Sequence, residues 1–121
     1  MLNTVMIVDD AIFMRTLLRD ILAKAGYNVV AEASNGVEAV KLYEEHKPSL
    51  VTMDITMPEK SGMEALKEIL LKDPAAQVIM CSAMGQHSLV LDALKTGAKD
   101  FVMKPFQPER MLESVHKVLN N

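Results

Sequence analysis

Five side chains in this sequence have the types and spacing to do chemistry together: Asp9 and Asp10, Asp54, Ser82 and Lys104. Each stands at the end of a short apolar run. Asp9-Asp10 follows Thr4 to Val8, Asp54 follows Leu50 to Met53, Ser82 follows Gln77 to Cys81, and Lys104 follows Asp100 to Met103. Three carboxylates brought to one place repel, and each tends to keep its proton unless a cation sits among them. An oxygen-only cluster without nearby His or Cys suits a hard ion, Mg²⁺ above all. Taken singly, each residue has a plainer use. Asp9 and Asp10 would serve as caps for the next helix, whose N-terminus favours negative charge. Asp54 would serve as another cap, Lys104 as a solvated strand-end lysine and Ser82 as a loop hydroxyl. Only their joint placement argues for a site.

That placement depends on the elements behind it. The runs Thr4 to Val8, Asn28 to Ala33, Leu50 to Met53, Gln77 to Cys81 and Asp100 to Met103 alternate five times with longer segments of helical period. This is the βα pattern of a parallel sheet, so the fold class is α/β. Three runs are nearly continuous hydrophobics, as strands covered on both faces are. In such a sheet the ligand site lies beyond the carboxyl ends of the strands, which is where all five residues fall.

The helical segments carry their own punctuation. Met14, Leu17, Leu18, Ile21 and Leu22 recur at helical spacing and leave Arg15, Arg19 and Lys24 for the outer face. Gly26 suits the C′ position after that helix, and Gly97 the same position after Leu89 to Lys95. Asn35-Gly36 opens a second helix rather than a hairpin, because Val37 to His46 has helical period. Ser61 with Glu64 is a capping box, Asp73-Pro74 closes the helix it opens, and Pro108 suits N1 of the last helix with Gln107 or Phe106 outside.

Composition sets the limits. A chain of 121 residues is the size of one ordinary domain, expected to span 1–121. Half of it is apolar (50%) and about a quarter charged (24%), which is globular composition. Its apolar stretches are far shorter than the roughly 18 residues of a membrane span, and MLNTVMIVDD lacks the pattern of a signal peptide. A cytoplasmic protein without membrane contact is expected. A net charge of −3 without a basic stripe argues against nucleic acid as a partner. Cys81 is the single cysteine, so no internal disulfide forms, and its apolar neighbours predict a buried, inert thiol. His46, His87 and His116 lack ligand spacing. Met6, Met53, Met80 and Met103 read as core, while Met57 and Met84 fall in loops beside the site.

At this point the residues match a known pattern. VDD at 8–10, the Asp of MDITMP at 54, Ser82 and KPF at 104–106 resemble the receiver domains of bacterial response regulators, over essentially the whole chain. AIFMR at 11–15, CSAMGQ at 81–86 and GAKDFVMKPFQP at 97–108 are similar to the single-domain chemotaxis members from thermophilic and Gram-positive bacteria. The resemblance implies a flavodoxin-like (βα)5 three-layer sandwich with a five-stranded parallel sheet in the order 2-1-3-4-5. Alternation alone leaves several orders open.

The resemblance also implies roles. Asp54 accepts a phosphoryl group from a histidine of the kinase CheA. Asp10 and Asp54 ligate Mg²⁺ through their side chains, Asp9 acts mostly through water, and Thr56 offers its backbone carbonyl. Lys104 supplies positive charge at the phosphoryl oxygens and pairs with Asp54 beforehand. Ser82 swings to donate to a phosphoryl oxygen, drawing the loop from Ala83 to His87 inward, and Phe101 follows by packing alone. A readout surface including Leu91, Lys95, Lys99, Phe101, Met103 and Gln107 then meets the flagellar switch protein FliM to control rotation. A phosphatase of the CheC or CheX type is a further partner, and the chain itself is a monomer. It is a phosphoacceptor switch that catalyses its own phosphoryl transfer and dephosphorylation, not an enzyme in the ordinary sense. Lys104-Pro105 is expected to be cis. Of the two positions facing the attacking water, Thr56 and Met84, the second cannot orient water, which implies slow hydrolysis.

Three other readings rival this one. A haloacid-dehalogenase-like phosphatase wants a second Asp two residues after the first, where this chain has Thr56. A flavodoxin-like cofactor binder wants a phosphate-cradling loop after the first strand, where two carboxylates would repel phosphate. A stand-alone receiver serving as a phosphorelay intermediate shares all the chemistry, and the sequence leaves that alternative open.

Overall fold

The computed structural model describes residues 3–120. Strands and helices alternate as β1 (Thr4–Val8), α1 (Ile12–Lys24), β2 (Asn28–Ala33), α2 (Gly36–His46), β3 (Leu50–Asp54), α3 (Gly62–Lys72), β4 (Val78–Ser82), α4 (His87–Thr96), β5 (Asp100–Met103) and α5 (Pro108–Leu119). Every pairing is parallel. The order is β2-β1-β3-β4-β5, the flavodoxin-like arrangement that the resemblance implies. Two strands differ in their bounds from the sequence reading. β3 takes in Asp54, and β4 runs from Val78 to Ser82 rather than from Gln77 to Cys81. Gln77 is left outside, and its side chain donates to the Ser49 carbonyl at 3.2 Å.

Alternation of strand side chains divides the interior into two cores, because successive residues point to opposite faces. Met6, Val8, Val51, Met53, Val78 and Met80 enter one core with Val40, Tyr43, Leu66, Ile69 and Val90 from α2, α3 and α4. Val5, Ile7, Leu50, Ile79, Cys81 and Val102 enter the other with Leu18, Leu22, Met111, Val115 and Val118 from α1 and α5. Both parities are therefore apolar along most of β1, β3 and β4, buried Thr52 in β3 being an exception, which is why those runs read as nearly continuous hydrophobics. With both faces covered, polar side chains are free to gather only beyond the strand ends.

Helix boundaries follow the expected punctuation in most places. Asn35 caps α2 by accepting from the Glu38 N–H, and Ser61 and Glu64 form the reciprocal capping box of α3. Pro108 stands at the start of α5 with Gln107 as its N-cap. Gly97 is the C-cap of α4 rather than C′, because the helix runs to Thr96. Its φ of +135° suits glycine, and a Cβ there would lie 2.9 Å from Cδ1 of Leu70.

Two other expectations need correction. Met103 is 50% exposed, not core, because β5 is an edge strand and Met103 is its last residue. Arg15 does not stand on the outer face of α1 with Arg19 and Lys24. Its side chain is only 16% exposed and turns back toward the carboxyl end of β1. Cys81 is buried as expected, and burial above all pushes its thiol up to about 12. His46, His87 and His116 are all exposed. No helix among the described residues is long and apolar enough to cross a membrane.

Candidate functional site

The parallel sheet brings the ends of β1, β3, β4 and β5 to one rim, and the five residues singled out in the sequence meet there. Asp9 follows β1 directly, its N–H donating to the Ala33 carbonyl of β2 at 3.0 Å. Its carboxylate is almost fully buried at 1% exposure. One oxygen accepts from the Ala11 N–H at 2.9 Å, and the other accepts from Lys104 Nζ at 2.7 Å. Asp10 is exposed beside it, and Asp54 is buried at the end of β3. One carboxylate oxygen from each of Asp9, Asp10 and Asp54 lies within 4.8 Å of the others. Neither plainer reading survives as a helix cap: Ala11 occupies the N-cap of α1, and Ser61 caps α3.

Lys104 enters from the segment after β5, where its N–H donates to the Ser82 carbonyl at 2.7 Å. Its peptide bond to Pro105 is cis, as expected. The ammonium bridges two carboxylates, 2.7 Å from Asp9 Oδ2 and 3.5 Å from Asp54 Oδ2. The sequence reading paired it with Asp54, whereas Asp9 is the nearer partner. Burial alone would lower the lysine's proton affinity, but the Asp9 hydrogen bond and both carboxylates outweigh it and hold the ammonium above its ordinary value.

Electrostatics set Asp54 apart. Its pKa is raised from 3.8 to about 6, by burial above all, with Asp9 and Asp10 adding to the rise and Lys104 opposing it. The carboxylate is costly to ionise where it stands. A divalent cation against these oxygens would remove that cost, and Asp9, Asp10 and Asp54 are the residues that could hold one.

Ser82, the last residue of β4, is 1% exposed, and its hydroxyl has no hydrogen-bond partner. A buried hydroxyl without a partner costs about 1–3 kcal/mol, so this one is poised for an acceptor. Gly62 packs directly against the backbone at the end of β3. Its N–H donates to the Ile55 carbonyl at 2.7 Å, and a Cβ there would lie only 1.9 Å from the Asp54 carbonyl oxygen. The loop after β3 is thereby folded tightly back onto the end of that strand.

Three contributors were not legible in the sequence. Arg15 donates to the Asp9 carbonyl at 2.7 Å while pairing with Glu32 at 3.4 Å, and so anchors the acidic turn. Gln86 accepts from the Ala83 N–H at 2.6 Å and donates to Thr56 Oγ1 at 3.2 Å. Gly62 is the third. The only available signal was for Gly62, a glycine directly after a capping serine.

Leu91, Lys95, Lys99, Met103 and Gln107 are exposed along α4, β5 and the segment leading into α5. Phe101 is half-buried on β5 against the core under α2, α3 and α4, and its carbonyl accepts from Arg110 at 3.0 Å. Met84 is 83% exposed in the loop after β4.

Comparison with known proteins agrees with this geometry. Residues 5–116 match the response regulator receiver domain. The chemotaxis protein CheY of Bacillus subtilis is 60% identical, covering 99% of this chain and 100% of its own length. CheY of Thermotoga maritima is also 60% identical, covering 94% of this chain and 95% of its own. A chain in the crystal structure of a CheX-CheY-BeF3-Mg+2 complex from Borrelia burgdorferi superposes with a TM-score of 0.92 at 41% identity, covering 96% of this chain and 88% of that one. The chain belongs to the response regulator receiver domain family. Within that family it is of the chemotaxis, CheY type, the receiver of a two-component system.

Proposed function

We propose that Asp54 is the phosphoryl acceptor of this receiver, that Mg²⁺ assists at Asp9, Asp10 and Asp54, and that Ser82 and Lys104 serve the transferred group. The observation that carries the reading is one cluster: three carboxylates within 4.8 Å, two of them bridged by a lysine, at the same rim of the sheet as a buried, unpartnered hydroxyl. Asp10 and Asp54 would ligate the ion directly, Asp9 through water, and Thr56 through its backbone carbonyl. Bound there, Mg²⁺ would offset charge gathering on the phosphoryl oxygens.

Within this reading an Asp54 oxygen attacks phosphorus and the bond from phosphorus to the donor breaks, the leaving nitrogen of a phosphohistidine keeping the electron pair. Lys104, already oriented by Asp9, supplies a positive charge to the incoming oxygens. Ser82 gains in the product state the acceptor it lacks at rest. CheA is the donor in this reading and FliM the target, reached through Leu91, Lys95, Lys99, Phe101, Met103 and Gln107. A phosphatase of the CheX type is supported as a partner by the Borrelia burgdorferi complex. The whole chain acts as one cytoplasmic, monomeric domain.

The test is direct. Incubation with acetyl phosphate should add one phosphoryl mass to the protein in the presence of Mg²⁺ and none after chelation. Asp54→Ala should take no label under either condition. Equal labelling of the variant would overturn the assignment of Asp54.

A further inference from the structure

The geometry points to Gln86 as a positioning residue, a latch that ties the loop after β4 to the loop after β3 and sets how readily Ser82 can move toward Asp54. This inference rests on the phosphoacceptor reading and deepens it. Gln86 is the N-cap residue of α4, yet its side chain caps nothing there. Good N-cap side chains are short (Ser, Thr, Asp, Asn), and Gln is poorly suited to the task. Its amide is used in two other places. Oε1 accepts from the Ala83 N–H at 2.6 Å, and Nε2 donates across to Thr56 Oγ1 at 3.2 Å. The backbone N–H of Gln86 also donates to the Ala83 carbonyl at 3.3 Å. Both backbone groups of Ala83, the residue next to Ser82, are therefore held by Gln86.

The loop from Ala83 to Gln86 is in consequence a closed turn with one side-chain strut to the facing loop, the Gln86–Thr56 bond, among the described residues. Nothing else in that loop is anchored by packing: Ala83, Met84 and Gly85 are exposed. On its inner side the hydroxyl of Ser82 is buried without a partner. Two opposed terms therefore meet at one turn. The strut holds the loop where it is, and the unsatisfied hydroxyl favours a rearrangement that gives it an acceptor. Both side-chain hydrogen bonds of Gln86 are exposed to solvent, so the strut can break without leaving a buried group unsatisfied. An element with two near-balanced arrangements is what a switch requires.

The experiment compares the full chain with Gln86→Met, Thr56→Val and the double variant, all of similar size to the native side chains and close to the surface. In unlabelled protein, amide hydrogen exchange at Ala83 should quicken on the order of fivefold in Gln86→Met. Gln86→Glu, whose carboxylate accepts from both the Ala83 N–H and the Thr56 hydroxyl, should restore the native rate of exchange. With acetyl phosphate and Mg²⁺, the initial rate of labelling should rise by a similar factor in each single variant, and the double variant should be no faster than either. Native exchange and native labelling rates in Gln86→Met, with Asp54 still labelled, overturn the latch and leave the acceptor reading standing. Faster exchange without faster labelling overturns its part in switching. A native chain that takes no label overturns the acceptor reading, and the switching role with it.

Discussion

Replacing Asp54 with Asn should make the metal-free protein more stable at neutral pH, by an amount that can be worked out. The carboxylate has its pKa raised from 3.8 to about 6, with burial the largest cause and Lys104 only partly compensating. At about 1.4 kcal/mol per tenfold change in proton affinity, keeping it ionised costs the fold about 3 kcal/mol. The side chain is 11% exposed, so solvent screening reduces that figure little. Asparagine keeps the shape and discards the charge. The sign follows from proton binding. Between pH 4 and pH 6 the folded chain holds this proton more tightly than the unfolded chain does, so stability from this group is full below about pH 4 and is lost as pH rises through about 6. Asp54→Asn removes that loss.

The assay is urea unfolding of both proteins in chelated buffer from pH 4 to pH 7.5. With an m-value of about 2 kcal/mol/M, the variant's midpoint should exceed the native one by about 1.5 M at pH 7.5. The gap should close toward pH 4. Adding Mg²⁺ at pH 7.5 should raise the native midpoint and leave the variant's nearly unchanged, because ligand binding to the folded state alone is stabilising. Equal midpoints at pH 7.5 would refute the claim that Asp54 is held ionised at a cost. A gap independent of pH would assign the gain to packing of the amide rather than to charge.

Three further outcomes follow from the same geometry. Ser82→Ala removes a buried hydroxyl without a partner and should raise stability by about 1 kcal/mol, read by urea unfolding, while reducing retention of the phosphorylated protein on a FliM peptide; a loss of stability would show that the hydroxyl has an acceptor. Gly62→Ala places a Cβ 1.9 Å from the Asp54 carbonyl oxygen and should cost more than about 2 kcal/mol, with Mg²⁺ affinity weakened by calorimetry, whereas a variant of native stability would contradict the tight turn. Cys81, buried and with its pKa pushed up to about 12, should react with a thiol reagent in the native state only as fast as the chain opens, so that its alkylation rate changes in step with denaturant; rapid labelling in native buffer would contradict its burial.

The parts of the site that were legible in the sequence share one physical property. Each of Asp9, Asp54, Ser82 and Lys104 directly adjoins or ends an apolar run, and a parallel sheet forces the carboxyl ends of such runs to one side. No knowledge of strand order was needed to bring them to a rim. Strand order was needed for Met103, whose exposure follows from β5 being an edge. The contacts that tune the site depend on direction as well as position. Whether Lys104 sits nearer Asp9 than Asp54, at 2.7 Å against 3.5 Å, is decided by the approach of a flexible side chain over two loops. Arg15 turning from a helix face onto the Asp9 carbonyl, and Gln86 reaching across to Thr56, are of the same kind. Periodicity assigned Arg15 to the outer face and gave Gln86 no role at all.

This division has a consequence for how the site works. The rim supplies the charges, and burial above all, with Asp9 and Asp10 adding to it against Lys104, raises the pKa of Asp54 to about 6. What makes the cluster usable is that one of its three carboxylates is already committed. Asp9 is neutralised by Lys104 and fixed through its backbone by Arg15, leaving exposed Asp10 and the costly Asp54 carboxylate facing the remaining space. A cation entering there meets the one buried carboxylate whose charge the fold has not balanced. Its binding therefore draws on the about 3 kcal/mol otherwise spent keeping Asp54 ionised. Changing Lys104 to Met should for that reason do more than remove a charge from beside the proposed phosphoryl acceptor. It would free Asp9 to compete for the cation, tightening Mg²⁺ binding while slowing phosphoryl transfer, and calorimetry alongside acetyl phosphate labelling separates the two. Weaker Mg²⁺ binding in that variant would show that Lys104 organises the cluster rather than opposing the ion.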